Sequence, residues 1–598
     1  MSIVTTYPKS KGYSTGGIPL IERTDFLMMP DHELVAAIHQ VGATALLSRE
    51  IEFVLRVQGL IESRLVDSCV QLIWITDTGE QNVPGAIVIC ASDPTIQEVK
   101  ALQYLEEMHA NKAYIPKPIE ERDYDSSVAL IGAGIVNLIT AMTLVENGYK
   151  VSIYSATPEP TQDEQWRKYG CTFAGNDARI FSFNESRQHH YHGTPLDEAA
   201  NDRYRKLVET NGWLSCPPEL LQEEDLEWIR EYEAYPQWMF EKIQHEIIQF
   251  NRESYDCWNR MILDYPEMFH NSGYIGRLFR VYSSEGDLLK GRKSEREIGA
   301  YVRELHLSDY EQELPCFSQA LNQERLSGGI EVKGFGLNIH KFSHQLINRL
   351  REAGVDFYWE EEISSIKYTS SGRVEALISS KRAIKAKHVV ASPGVPSANF
   401  LQGMASDKQI GSMLGCWLTL PNDELNLRYP IKVGRSGYAS EEAAAGANLI
   451  PGTGPDGKPL LYLSSGHGFI GLNPNNISKG HLNSLAKAVH ETAESLFPEV
   501  YQQSLRNGLI PEEPRYCIRP WTPSCLGLLE VKPNAEGGLF ILTGGHNTGG
   551  FAQSPAIARA VLDAIEGKAN KMHFLYHPER LRRFFNFVPK GSGLLTYT

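Results

Sequence analysis

The sequence predicts an α/β protein: a Rossmann-like parallel β-α-β unit, an inserted, largely antiparallel sheet, and an N-terminal α/β extension. Three observations carry this prediction. The apolar run Val128-Ala-Leu-Ile131 enters the turn Gly132-Ala-Gly134, a helical pattern over about 136–147 closed by Gly148, and then Val151-Ser-Ile-Tyr154. Strand, tight turn, helix and strand in that order make a right-handed parallel crossover. Residues 410–480 alternate apolar and turn residues, as an antiparallel sheet does. The first 120 residues carry their own helix and strand signals, ahead of a charged, proline-bearing connection at 117–127.

In chain order, the extension shows a helical pattern over about 34–66 and apolar strands at 71–75 and 86–90. The glycine turn begins only at Gly132, so the extension is expected to be a removable module. Residues 200–330 are rich in charge and aromatics at helical spacing, as in Leu226-Glu-Trp-Ile-Arg and Trp238-Met-Phe, and predict an inserted helical region with no evident chemistry. After Gly334 come a helix over 339–352, strands near 356–359, 363–368 and 373–379 with a Ser-Ser-Gly turn at 370–372, and a strand over 387–392 ending at Pro393-Gly394.

A chain of 598 residues exceeds what one core usually serves. Its net charge of -15 argues against nucleic acid as a partner, because phosphate-binding surfaces are built from Lys and Arg. The nine cysteines form no Cys-x-x-Cys pair or short-range framework, which fits a reducing cytoplasm. Neither a secretory signal layout nor a transmembrane run is apparent. A soluble, cytoplasmic location is expected, with peripheral membrane contact and homo-oligomeric assembly left open.

Two turns carry the chemistry. Without a Cβ, Gly132 and Gly134 let backbone N–H groups approach a pyrophosphate at the positive end of a helix, so the first turn points to a dinucleotide. It departs from the fingerprint twice: Asn137 stands for the third glycine, and Tyr154-Ser155-Ala156 replaces the acidic residue that accepts ribose hydroxyls. The second turn is Gly544-Gly545-His546-Asn-Thr-Gly549-Gly550-Phe551, between the apolar run from Gly538 and a helical pattern over 556–566. It either presents a helix N-terminus to an electron-rich ring or is a packed strand-helix turn.

Together with Gly334-Phe-Gly, Ala353-Gly-Val355, Gly372-Arg-Val374, Val389-Val-Ala-Ser-Pro-Gly394 and Arg519-Pro-Trp-Thr-Pro523, these turns resemble the FAD-dependent D-amino-acid oxidase family, which includes glycine oxidase, sarcosine oxidase and D-amino-acid dehydrogenases. The resemblance covers roughly 127–185 and 334–567. It implies FAD-binding parts at 127–200, 334–400 and 516–598, a helical, substrate-side insertion at 201–333 and an antiparallel substrate domain at 401–515, after a module of unread role at 1–120. Gly132, Gly134 and Asn137 would lie at the FAD pyrophosphate, Ser155 at the adenosine ribose and Ile363 or a neighbour on the adenine side. Gly545, Gly549, Gly550 and Phe551 would lie at the flavin. Arg519 matches the arginine that clamps a substrate carboxylate, the alternative being a structural salt bridge. The segment 170–182 falls where the family places a loop over the flavin, so Arg179 becomes a flavin or substrate contact. His546 either touches the flavin or satisfies a loop carbonyl.

His189-His190-Tyr-His192 invites a metal reading, but adjacent histidines in a strand face opposite ways and no partner spacing follows, so no metal is expected. Neither these histidines nor Cys171 stands in a context that identifies a covalent flavin bond. The implied reaction is oxidation of an amino acid or secondary amine at its CH–NH or CH–NH2 group, as an oxidase or dehydrogenase, with oxygen or another electron acceptor. Two rivals stay open: a flavin monooxygenase, disfavoured because Ala391-Ser-Pro-Gly394 stands where a Gly-Ala-Asp-Gly segment is usual, and a flavin-binding subunit that needs a partner.

Overall fold

The computed structural model describes residues 2–8, 20–77, 83–113, 127–160, 179–186, 202–396, 400–444, 446–454 and 457–585. The extension is an all-parallel sheet in the order Leu20–Glu22, Ile3–Thr5, Ala45–Ser48, Gln71–Thr76, Ile87–Cys90, with helices Asp31–Val41, Ile51–Glu62 and Pro94–Ala113. The continuous helical stretch expected at 34–66 is therefore two helices parted by a strand. Gly42 ends the first in the left-handed conformation, φ +59°, its N–H bonding back to the Ile38 and His39 carbonyls. Ala45-Leu-Leu-Ser48 then enters the sheet buried at every position. A three-residue apolar run, Ala45-Leu-Leu47, satisfies helical and strand periodicity alike, so the pattern conceals the break.

The second sheet has the order Asp356–Tyr358, Lys150–Tyr154, Ser127–Ile131, His388–Ala391, Leu539–Gly544, Leu528–Pro533, and is parallel except for the last pair. The predicted crossover is present, with its helix at Ile135–Glu146. Helices Ile339–Glu352 and Gly550–Ile565 pack against it. Leu138, Ile139, Ala556, Ala560 and Val561 join one buried core there, each leucine, isoleucine or valine contributing roughly 1.5–3 kcal/mol by leaving water.

The third sheet has eight strands: Tyr301–Glu304, Gly328–Val332, Leu278–Tyr282, Ile431–Gly434, Gly446–Thr453, Pro459–Phe469, Gly411–Pro421, Arg515–Trp521. Its neighbours are antiparallel except Leu278–Tyr282 with Ile431–Gly434. Three of these strands come from the segment read as helical, which corrects that reading. Helices Glu223–Ala234, Gln237–Asp264 and Glu285–Glu297 do occupy it. Leu278–Tyr282, however, is buried at four of its five positions and so lacks the polar-apolar alternation that marks a half-exposed strand.

The extension is docked on the rest of the chain through Pro94–Ala113, which contacts Gln237–Asp264 and the C-terminal helices Lys571–Leu575 and Arg580–Phe584. At this contact Arg580, 1% exposed, donates to Glu106 (Nη2 to Oε2, 2.8 Å) and Glu246 (Nη1 to Oε2, 2.8 Å), while Lys242 reaches Glu106 at 3.1 Å and Glu246 at 2.8 Å. Burial pushes the Glu106 carboxyl up, but Arg580 and Lys242 beside it hold it below the ordinary range. Among the described residues no helix is long and apolar enough to cross a membrane.

Candidate functional site

A cleft opens at the carboxyl ends of the central parallel strands, between the turn after Ile131 and the segment 392–396, and runs past the C-terminal glycine turn to Arg519 and Asn448 on the eight-stranded sheet. Open parallel sheets bind ligands at such strand ends. Gly132 has φ +96°, and a Cβ there would lie 2.4 Å from the Ser392 carbonyl oxygen, so both conformation and space require glycine. Gly134 caps the following helix, and both glycines line the cleft. Asn137 is corrected: it is wholly buried behind the turn, its Nδ2 donating to the Ile131 and Gly132 carbonyls at 2.8 Å each. It braces the turn from the protein side.

At one end of the cleft lie Ser155 and Ile363. The Ser155 hydroxyl is 2.9 Å from that of Thr157, and the Ser155 carbonyl accepts the Glu361 N–H at 2.8 Å. Glu361 and Glu362 also line this end, so the neighbouring strand brings carboxylates to the place where the second strand has none. Sequence reasoning missed them. The signal is the Glu360-Glu361-Glu362 run after a strand that pairs in parallel with Lys150–Tyr154. Glu361 is committed to Arg382 through two 2.9 Å hydrogen bonds, which hold its carboxyl below the usual range, whereas Glu362 is exposed.

The C-terminal turn divides its glycines by task. Gly550 and Phe551 open the helix Gly550–Ile565 and line the cleft. Gly545 (φ +61°) and Gly549 instead make room for protein: a Cβ would lie 2.4 Å from Thr522 Cγ2 at the first and 1.9 Å from Ser186 Oγ at the second. His546 lines the cleft, but its ring is packed with Thr543, Tyr576 and Gly527, with Nε2 2.6 Å from the Thr543 hydroxyl. The hydroxyl, rather than the loop carbonyl considered from sequence, is its partner. Burial pulls its pKa down to about 3, so the imidazole is neutral.

Arg519 sits partly buried on the strand Arg515–Trp521, its Nη1 donating to the Gly466 carbonyl at 2.7 Å. Its guanidinium lies over Gly415 of the adjacent strand, where a Cβ would come within 2.1 Å of Nη2. The glycine is the missed partner of the arginine; a Gly-Cys pair inside a strand gave no sign of it. Arg519 and both glycine turns thus border one cleft.

Residues 127–564 match the family described as FAD dependent oxidoreductase, DAO. The chain belongs to this family. Solved structures similar to the oxidoreductase include glycine oxidase from Bacillus cereus (16% identity, 76% of this chain and 98% of that one, TM-score 0.48) and L-proline dehydrogenase from P. horikoshii (14%, 77% and 98%, 0.49). Amadoriase I from Aspergillus fumigatus is similar at 16% identity over 78% of this chain and 93% of that one, TM-score 0.48. No curated protein matches the oxidoreductase.

FAD, the cofactor of the family, suits this cleft. Gly132 and Gly134 give a side-chain-free approach at a helix N-terminus, and a second helix N-terminus faces the same space at Gly550. Ile131, Val136, Phe400 and Phe551 supply apolar walls for the rings of such a ligand. Several sequence expectations lie outside the described residues: the loop 170–178 with Cys171, the histidines His189, His190 and His192, and the side chain of Arg179, whose backbone opens the strand Arg179–Ser182. Sequence reasoning also missed Glu185, Asn448 and Thr548 on the cleft wall.

Proposed function

We propose that this oxidoreductase oxidises an amino acid or a secondary amine, removing a hydride from the carbon beside nitrogen and leaving an imine that water hydrolyses. The observation that carries the reading is Arg519 on the wall of the cleft that both glycine turns border. A planar guanidinium pairs with a carboxylate through two parallel hydrogen bonds, and partial burial strengthens the pairing. Its tie to the Gly466 carbonyl and its seat over Gly415 limit its rotamers, so a bound carboxylate fixes the position of the neighbouring α-carbon.

Bound FAD supplies the two-electron acceptor. Gly132 and Gly134 would hold its pyrophosphate, Ser155 and Glu362 would meet its ribose hydroxyls, and Ile363 would lie on the adenine side. The backbone N–H groups of Gly550 and Phe551, at the positive end of a helix, stabilise negative charge that develops against them. The parts 127–200, 334–400 and 516–598 serve the cofactor and 401–515 the substrate, with the strand Arg515–Trp521 carrying Arg519 to the seam between them. Anaerobic mixing of the yellow holoenzyme with amino acids and N-methyl amines should bleach its visible absorbance, and admitting air should tell an oxidase from a dehydrogenase. Bleaching by a nicotinamide cofactor, with none by any amine, would abandon this reading for a monooxygenase.

A further inference from the structure

The tight turn 183–186 is anchored on two sides. Asn251, wholly buried in the long helix Gln237–Asp264, donates from Nδ2 to the Phe183 and Glu185 carbonyls at 2.9 Å each. Gln553, in the helix that starts at the C-terminal glycine turn, orients Asn251 through a 3.1 Å hydrogen bond. Ser186 bonds that glycine turn directly, from Oγ to the His546 carbonyl at 3.0 Å and from N to Thr548 Oγ1 at 3.2 Å. Glu185 is thereby set in register with the turn proposed to border the flavin. It lines the same cleft as Arg519.

The Glu185 carboxylate is used on one oxygen. Oε1 accepts the Ser182 hydroxyl at 2.8 Å and the Lys432 ammonium, while no hydrogen bond from the described residues reaches Oε2. Lys432 stands in register between Arg280 and Asn448 on three adjacent strands, and Asn448 also lines the cleft. Arg280 is paired in turn with Glu295, and both it and Glu295 bond Asn184. The charged groups packed about Glu185 are thus Lys432, Arg280 and Glu295, with Arg519 on the cleft wall. A carboxylate oxygen on the wall of a cleft that also has apolar walls such as Ile180 and Phe551 is open to a donor from a bound ligand, and a hydrogen bond to a charged group is among the stronger ones.

We propose that Glu185 is a specificity-determining residue: its Oε2 accepts the N–H of the substrate's amine while Arg519 holds the carboxylate, so the site selects molecules that carry both. Lys432 is a positioning residue that occupies Oε1. The inference rests on the function proposed above and adds the recognition of nitrogen to it.

The test uses the full FAD-loaded chain, with glycine, sarcosine and D- and L-alanine, proline and phenylalanine as amine probes, and acetate, propionate and 3-phenylpropionate as carboxylates without nitrogen. Glu185→Gln should leave the carboxylates' perturbation of the flavin spectrum within about twofold, yet raise the apparent KM of reactive amino acids at least tenfold. Glu185→Asp, which keeps the charge and the lysine pair but withdraws by one methylene, should fall between. Wild type should discriminate against N,N-dimethyl amino acids, which lack an N–H when neutral, and Glu185→Gln should lose that discrimination. Equal losses for carboxylates and amino acids, or an unchanged amino-acid KM, would overturn the role of Glu185 alone. A wild-type flavin that responds to neither class of probe would overturn the amine-oxidising reading and this inference with it.

Discussion

Arg519 and Gly415 act as one unit, and two substitutions test it. Arg519→Lys keeps the charge but loses the fork, and Arg519→Ala loses both; kcat/KM for amino acids should fall by the equivalent of roughly 2–5 kcal/mol in the alanine variant, with FAD content unchanged. Gly415→Ala should copy the defect with the arginine still present, because the new methyl would displace the guanidinium. Equal losses on amines with and without a carboxylate would remove Arg519 from substrate recognition. His546 tests a different property. Its pKa is about 3 when folded against an ordinary 6.5, so between these values the unfolded chain takes up a proton that the folded chain refuses. The stability it contributes is full above pH 6.5 and declines as pH falls through that window, by roughly 2 kcal/mol at pH 5. Urea unfolding at pH 7.5 and 5.0 should show a smaller decline for His546→Gln than for wild type; an identical decline would show that this ring does not set the acid limit.

At the scale of elements, the C-terminal turn and the turn 183–186 are built around each other. Gly549→Ala would thrust a methyl at Ser186 Oγ and should destabilise the fold by about 1–3 kcal/mol through overpacking. Ser186 itself has φ +56°, so Ser186→Gly should recover part of that loss by removing the obstructing hydroxymethyl group and relaxing the backbone. Thermal unfolding of the two single variants and the double variant measures the coupling, and strict additivity would deny the contact. The glycine pattern made the two turns visible in sequence because Gly132, Gly545 and Gly549 each have a steric reason to be there. It could not say which glycines face a ligand and which face protein. Asn137, Gly545 and Gly549 look inward, a distinction made by partners such as Ser186 and Thr522 that are remote in the chain. The strand Leu278–Tyr282 was illegible for a related reason: burial on both faces erases alternation. Glu185 and Asn448 had no pattern at all, since only the folded chain brings them to the cleft.

For the whole molecule, the six-stranded, mostly parallel sheet and its crossover were legible because a strand, a glycine turn and a helix follow one another locally. The docking of the extension was not, because the contact that fixes it joins distant segments. The extension was expected from sequence to be a removable module, and a chain shortened to begin at Glu120 tests this. With Glu106 gone, Arg580 keeps Glu246 and the Leu575 carbonyl, and where the site stays covered, as in a point variant, breaking such a network costs about 3–5 kcal/mol. The shortened chain should therefore unfold at lower temperature and retain less FAD than the full chain, and Glu106→Ala should reproduce much of the deficit. Equal thermal stability and equal FAD retention would show the interface to be superficial. The same contact imposes an order on synthesis. Arg580 follows Glu106 by 474 residues, and at about 5–20 residues per second the ribosome needs roughly half a minute to a minute and a half to cover that distance. For that interval the nascent extension carries a carboxylate whose guanidinium partner has not yet been made, leaving the docking face of Pro94–Ala113 open to chaperones and premature contacts until the helix Arg580–Phe584 emerges.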